Sequence, residues 1–283
     1  MAKLKVSELF YSIQGEGRFM GVPSVFLRTF GCNFTCDGFG MARGEKSNER
    51  HLVASNIEKY KQYRDLPLVS TGCDSYASWD PRFKHLSPVV STDTIAYAIA
   101  EMLPYKEWRD EHLVITGGEP LLGWQKSFPD LLDHPKMLAL KELTFETNGT
   151  QLLTEDFYNY LLVWGIDARG YSALTFSVSV KLSCSGESRE DAIKTNVLRQ
   201  YQTLGYTYLK FVVATDDDVG ESLDTLAKFR AEGFKGHAYL MPVGGVESVY
   251  SLNNKRVAEL AMQNGLRYSD RLQIPLFKNA HGT

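Results

Sequence analysis

Three cysteines carry the most specific chemistry in the chain. Cys32 and Cys36 stand four residues apart in FLRTFGCNFTC, and Cys73 follows in TGCDSYASW after a long gap. Iron prefers thiolate ligands, and a [4Fe–4S] cluster offers four iron sites. Three thiolates leave one iron open to a small chelating ligand. A structural Zn2+ site is the alternative, because C-x3-C also lies within zinc spacing. Cys184 is either a fourth ligand or an ordinary thiol just beyond a strand. The opening MAKLKVSELFYSIQGEG turns polar and Gly-rich too early for a secretory signal, so metal binding is expected rather than disulfides.

Other groups able to do chemistry cluster at the ends of apolar runs. Thr116-Gly117-Gly118-Glu119-Pro120 reads as a turn whose backbone can approach a ligand, or simply as a tight strand-to-helix turn. Lys181, after Ser179 and Val180, can pair with a carboxylate or sit in solvent. Glu146, Thr147 and Asn148 lead into an Asn-Gly turn. Ile13–Gly17 is a Gly-rich turn containing Gln14, Gly15 and Glu16. Arg28 is a charge inside an apolar run and needs an anionic partner, either a ligand or a structural ion pair. Among six histidines there is no H-x-H or H-E-x-x-H pattern, and only His281 is expected near the site.

These residues need a frame. The chain of 283 residues has a hydrophobic fraction of 43%, enough for a packed core, which excludes disorder as the main state. A net charge of −3 gives no basic excess for a nucleic-acid surface. No apolar run approaches ~18 residues, so no membrane span is expected. Strand-like runs occupy Pro23–Phe30, His112–Thr116, Glu142–Thr147, Leu174–Val180, Tyr208–Ala214 and Ala238–Pro242. Helices are expected near 92–108, 125–138, 154–164, 188–204, 218–232 and 247–264. Their signals are Ser91 or Thr92, then Asp217 or Asp218, at N-termini, and Gly265 at the last C-terminus. Such alternation predicts an α/β fold: a partial, TIM-like barrel of about six parallel βα units, in one domain spanning 1–283. Chemistry then belongs at the strand C-terminal ends.

Residues 37–72 break the rhythm. This stretch of 36 residues holds 11 charged ones, and Ser55-x-x-Glu58 predicts a capped short helix over SNIEKYKQYRD. It reads as an inserted lid or a solvated loop.

The motifs resemble the radical AdoMet superfamily and, within it, the 7-carboxy-7-deazaguanine synthase family. FYSIQGEGRFMGVPSVFLRTFGCNFTC is similar to that family's opening. ITGGEP (115–120), FETNGT (145–150), SVSVK (177–181), LKFVV (209–213), MPVG (241–244) and RLQIPLFKNAHGT follow in order over almost the whole chain. Two departures stand out. Phe39 occupies the third-cysteine place of a compact C-x3-C-x2-C, so the resemblance implies an insertion before Cys73. Val180 stands where the family commonly has Pro.

The resemblance implies a lyase that contracts 6-carboxy-5,6,7,8-tetrahydropterin to 7-carboxy-7-deazaguanine with loss of ammonia, in queuosine or 7-deazapurine synthesis. It assigns Cys32, Cys36 and Cys73 to a [4Fe–4S] cluster. It assigns Gly72, Asp74, Gly118, Glu119, Glu146, Ser179, Val180 and Lys181 to S-adenosyl-L-methionine, and Ser75 to Mg2+. Ile13, Gln14, Gly15, Glu16, Arg28, Thr116 and His281 would meet the pterin, with Arg28 on its carboxylate. The radical comes from AdoMet, so no side chain is expected to be catalytic. A cytoplasmic homodimer served by a flavodoxin or ferredoxin is expected, without nucleic acid or membrane. The alternatives are an activase acting on a partner protein, which would lack the opening FYSIQGEGR, and a non-catalytic zinc module.

Overall fold

A single sheet organises the chain, and alternation along its strands decides what each side chain meets. The computed structural model describes all residues 1–283. Its strands are β1 (Lys3–Ile13), β2 (Pro23–Thr29), β3 (Val89–Ser91), β4 (His112–Gly117) and β5 (Leu143–Thr147). They continue as β6 (Leu174–Val180), β7 (Tyr206–Val213), β8 (Ala238–Pro242) and β9 (Arg267–Tyr268). The order is β3-β1-β2-β4-β5-β6-β7-β8-β9. From β2 to β9 every pairing is parallel, while β1 runs antiparallel to β2 and β3. The order is linear, with β3 and β9 as unpaired edges, so the barrel is incomplete as expected.

The helices are α1 (Glu49–Ala54), α2 (Thr92–Met102), α3 (Phe128–Leu132), α4 (Glu155–Leu161) and α5 (Arg189–Ala192). After them come α6 (Thr195–Leu204), α7 (Asp216–Ala231), α8 (Glu247–Gln263) and α9 (Gln273–Phe277). Ser91 caps α2 by accepting from the Thr94 N–H, as its position predicts. Pro104 lies just beyond Leu103, so α2 stops short of 108. Pro135 likewise shortens the helix expected over 125–138 to α3 and a separate 3-10 turn. The segment 188–204 splits into α5 and α6. At α7 the cap is Thr215, with Asp218 closing a capping box rather than acting as the cap.

Three strands lie outside the six expected. In β1 the alternation is broken by a bulge between Val6 and Glu8, which hides its period. β3 and β9 have three and two residues, too few to show one.

The insertion also differs from expectation. The helical turn is α1, before Ser55, whose hydroxyl bonds back to the Leu52 carbonyl at 2.8 Å. Residues 57–59 and 63–65 form only 3-10 turns. A small core of Val53, Tyr63, Leu66, Val69, Tyr76, Ala77, Phe83 and Leu86 joins the insertion to the segment after Cys73. It is separate from the 47-residue core of the barrel.

Candidate active site

Side chains on one face of the parallel strands form a single layer. Arg28 of β2 pairs in register with Thr116 of β4, Glu146 of β5 with Ser177 of β6, and Ser179 with Lys210 of β7. Arg28, Thr116, Glu146, Ser179 and Lys210 line a cavity of about 260 Å³ at the strand C-terminal ends. The alternate residues Leu27, Ile115, Phe145, Val178 and Leu209 point into the core. The same period explains Val180: Ser179 faces the cavity, so Val180 is buried in the core and not in the lining.

Cys32, Cys36 and Cys73 border one end of this cavity together with Gly118 and Lys181. Burial pushes the Cys32 thiol up to about 12 and Cys73 to about 11, and Cys36 rises for the same reason. Cys73 adds to the rise at both Cys32 and Cys36, and Cys32 adds to the rise at Cys36. The Cys32 sulfur accepts from the Phe34 N–H at 3.4 Å and Cys73 from the Trp79 indole at 3.3 Å. Three soft cysteine sulfurs that line one cavity, two of them accepting N–H bonds, fit an iron–sulfur cluster. Cys184 lies outside this set, with its thiol on the Val212 carbonyl at 3.5 Å.

Gly118 packs where no side chain fits. A Cβ there would lie 2.5 Å from the Gly31 carbonyl oxygen and 2.7 Å from the Cys32 Cβ. Glu119 departs from its expected place. Its carboxylate is fully buried and outside the cavity, accepting from Thr147 Oγ1 at 2.9 Å, Asn148 N at 2.6 Å and Leu121 N at 3.0 Å. It ties the ends of β4 and β5 together. Asn148, half of the Asn-Gly turn, reaches Asn33 at 2.9 Å and so braces the cysteine loop. Lys181 donates to Ser179 at 2.8 Å and has no carboxylate partner in the chain, so its charge is open to a ligand.

The other end of the cavity is a charge network. Glu16 meets Lys210 at 2.5 Å, Arg271 at 3.3 Å and Gln273 at 3.1 Å. Burial pushes its carboxyl up, but Lys210 and Arg271 outweigh this and hold it at about 2. Glu16 is therefore occupied within the protein, not a free edge for a heterocycle. Arg271 also holds Asp74 at 2.6 Å, keeping that carboxyl near 2 against its burial. Gln14 donates to Glu146 at 3.2 Å, as does Thr116. Arg28 pairs with Glu8 at 2.9 Å and donates to Ser75 at 3.2 Å and the Gly117 carbonyl at 3.4 Å. The structural partner for Arg28 thus exists, yet Nη2 has no partner in the chain. Ile13, Gly15, Gly72, Ser75 and His281 also line the cavity, and His281 Nε2 is buried without a bond.

The lining holds four acidic side chains (Glu8, Glu16, Asp74, Glu146) and four basic ones (Arg28, Lys181, Lys210, Arg271). With the charges balanced, an anionic group is drawn to a particular cation rather than by the overall field. Sequence reasoning missed Glu8, Lys210, Arg271, Gln273, Tyr63 and Trp79. Lys210 had a readable signal, being a charge within the apolar run LKFVV, as Arg28 is within SVFLRTF. Tyr63 comes from the insertion, buried against Ser78 at 2.8 Å and 5.2 Å from the His281 ring.

An incomplete parallel barrel with thiols at the mouth of a balanced polar cavity defines an α/β enzyme of the radical AdoMet type. No family model matches the chain. The 7-carboxy-7-deazaguanine synthase of Halobacterium salinarum is 33% identical over 304 residues, covering 99% of this chain and 93% of that protein. The 7-carboxy-7-deazaguanine synthase of Rhodopirellula baltica is 28% identical over 301 residues, covering 100% and 90%. The crystal structure of QueE from Escherichia coli matches the fold with a TM-score of 0.54 at 20% identity, covering 94% of this chain and 93% of that one. The chain belongs to the 7-carboxy-7-deazaguanine synthase family. Membership brings a [4Fe–4S] cluster and AdoMet as cofactors, and no helix is long and apolar enough to cross a membrane.

Proposed function

We propose that this enzyme converts 6-carboxy-5,6,7,8-tetrahydropterin to 7-carboxy-7-deazaguanine with loss of ammonia. The observation carrying this reading is one cavity that joins the three thiols and the unpaired Lys181 to Arg28, whose Nη2 is unspent. Cys32, Cys36 and Cys73 hold the cluster, and Lys181 meets the AdoMet carboxylate with Ser179 as its brace. When bound, the cluster and AdoMet would supply one-electron reduction and radical chemistry directed at C6 of the pterin. Arg28 receives the substrate carboxylate on Nη2 while Glu8 keeps its fork oriented. Gln14 and Glu146 face the heterocycle's far edge. Glu16 acts through Lys210 and Arg271, fixing the network rather than touching substrate. Orientation by these residues and exclusion of water are the protein's share of the catalysis.

Mg2+ belongs to this reading through the Ser75 hydroxyl, 3.1 Å from Asp74. Arg28 lies 3.2 Å from the same hydroxyl, so the cation depends on an anionic substrate placed between them. A flavodoxin or ferredoxin as electron donor, a homodimer and a cytoplasmic setting complete the proposal.

Anaerobic incubation with carboxytetrahydropterin, AdoMet and dithionite tests it, with 7-carboxy-7-deazaguanine and 5′-deoxyadenosine as the expected products. Arg28→Ala should lose turnover and keep its iron, and alanine at Cys32, Cys36 or Cys73 should lose most iron. Normal turnover by Arg28→Ala, or activation of a partner protein instead of pterin conversion, overturns the reading.

A further inference from the structure

Trp79 stands apart among the tryptophans by what its indole bonds. The N–H groups of Trp108 and Trp124 go to backbone carbonyls at 3.0 and 2.9 Å. The Trp79 N–H goes to Cys73 Sγ at 3.3 Å. An indole nitrogen can only donate, and sulfur accepts well only when it carries negative charge. The choice of partner suits a metal-bound thiolate.

The insertion holds this indole in place from several sides. Arg50 lies over its ring, 4.9 Å from the centroid. The same guanidinium grips both oxygens of Asp37 at 2.8 Å and Asp80 at 2.7 Å. Asp37 follows Cys36 and Asp80 follows Trp79, so one side chain ties the second ligand's flank to the indole. Gly31, just before Cys32, donates its N–H to the Ser78 carbonyl at 2.7 Å. The Trp79 loop is therefore fastened near the first ligand as well.

We propose that Trp79 raises the reduction potential of the cluster through its N–H bond to Cys73, and that Arg50 is the positioning residue for this bond. The inference rests on the reading of Cys73 as a cluster ligand. Reduction adds one electron from an external donor, makes the cluster more negative by one charge, and moves no proton. A donor on a ligand sulfur favours the more negative state, and such bonds are among the determinants of cluster potential. Trp79→Phe keeps the ring beneath Arg50 and removes only the donor.

The test is an anaerobic redox titration of the loaded enzyme with dithionite and mediators, read by the electron paramagnetic resonance of the reduced cluster. Trp79→Phe should retain iron and sulfide, and its reduced-to-oxidised ratio at a fixed potential should fall about tenfold, a shift of ~59 mV for one electron. Arg50→Lys should shift in the same direction by less. An unchanged midpoint in Trp79→Phe, with Cys73→Ala having lost its iron, overturns the inference and leaves the ligand reading intact. Full iron in Cys73→Ala overturns both. If Trp79→Phe fails to hold a cluster, pulsed resonance on protein with 15N-labelled indole decides: a nitrogen coupled to the reduced cluster supports the bond, and its absence ends the proposal.

Discussion

The barrel strands and the insertion between Cys36 and Cys73 build two walls of one cavity, and they are held by different forces. Behind the barrel wall lies a 47-residue apolar core in which Phe176 stacks on Tyr201 at 4.3 Å and Phe211 is fully buried. Behind the inserted wall lies an apolar core of only eight buried residues. There, Glu49 accepts from Ser70 N at 2.7 Å and from Thr71 N and Oγ1 at 3.0 and 2.7 Å, and Arg50 bridges Asp37 and Asp80. Apolar burial is non-directional and tolerates exchange of one hydrophobic group for another. Charge-assisted bonds need particular atoms, so the inserted wall depends on single side chains.

The largest effect should come from the barrel side. Phe211→Ala removes a fully buried ring and should cost about 3–5 kcal/mol of global stability, measured by denaturant unfolding. Loss confined to the insertion would contradict the comparison. Acid should act next, on the buried network of Glu16, Lys210, Arg271 and Asp74. Glu16 and Asp74 are held near 2, below their ordinary values of 4.5 and 3.8. Their contribution is complete above pH ~4.5 and is lost as pH falls toward 2. Unfolding midpoints at pH 5 and pH 3 should differ in that direction, and Glu16→Gln should flatten the difference.

Arg50→Ala should cost on the order of 2 kcal/mol, but locally. Hydrogen exchange should quicken over residues 47–86 while β4–β8 stay protected. Uniform quickening would show that the two cores unfold as one. The smallest change is Glu49→Gln, about 1 kcal/mol because the side chain is partly solvated. It should appear as faster proteolysis within residues 57–71 without a change in the unfolding midpoint.

This division also explains what could be read from the sequence. The barrel strands were legible because burial on one face imposes a period of two, and six of them were found at nearly their true positions. The same period contained the answer for Val180, since SVSV puts Ser179 and Val180 on opposite faces. Arg28 was found as a charge in an apolar strand, but Lys210 obeys the same rule and was passed over. The fate of Glu119 was not legible, because its partners Thr147 and Asn148 reach it only through the pairing of β4 with β5. The insertion resisted reading most. Its bonds join residues far apart in the chain, such as Glu49 with Ser70 and Arg50 with Asp80, and they follow no period.

The close fit at Gly118 bears on how the metal centre is assembled. Because the turn after β4 presses on Gly31 and Cys32, the first thiol has a fixed backbone position without any iron. Asn148 adds a second brace through Asn33. Cys73, by contrast, takes its place from the insertion's ion pairs and the Trp79 loop. With the proposed ligands, a cluster would join a segment held by ion pairs to a backbone held by close packing, and the iron would itself help fasten the inserted wall. Chelating the metal should loosen residues 37–86 and leave the end of β4 ordered. A protein that loses its cluster to oxygen would then keep its barrel and loosen the inserted wall.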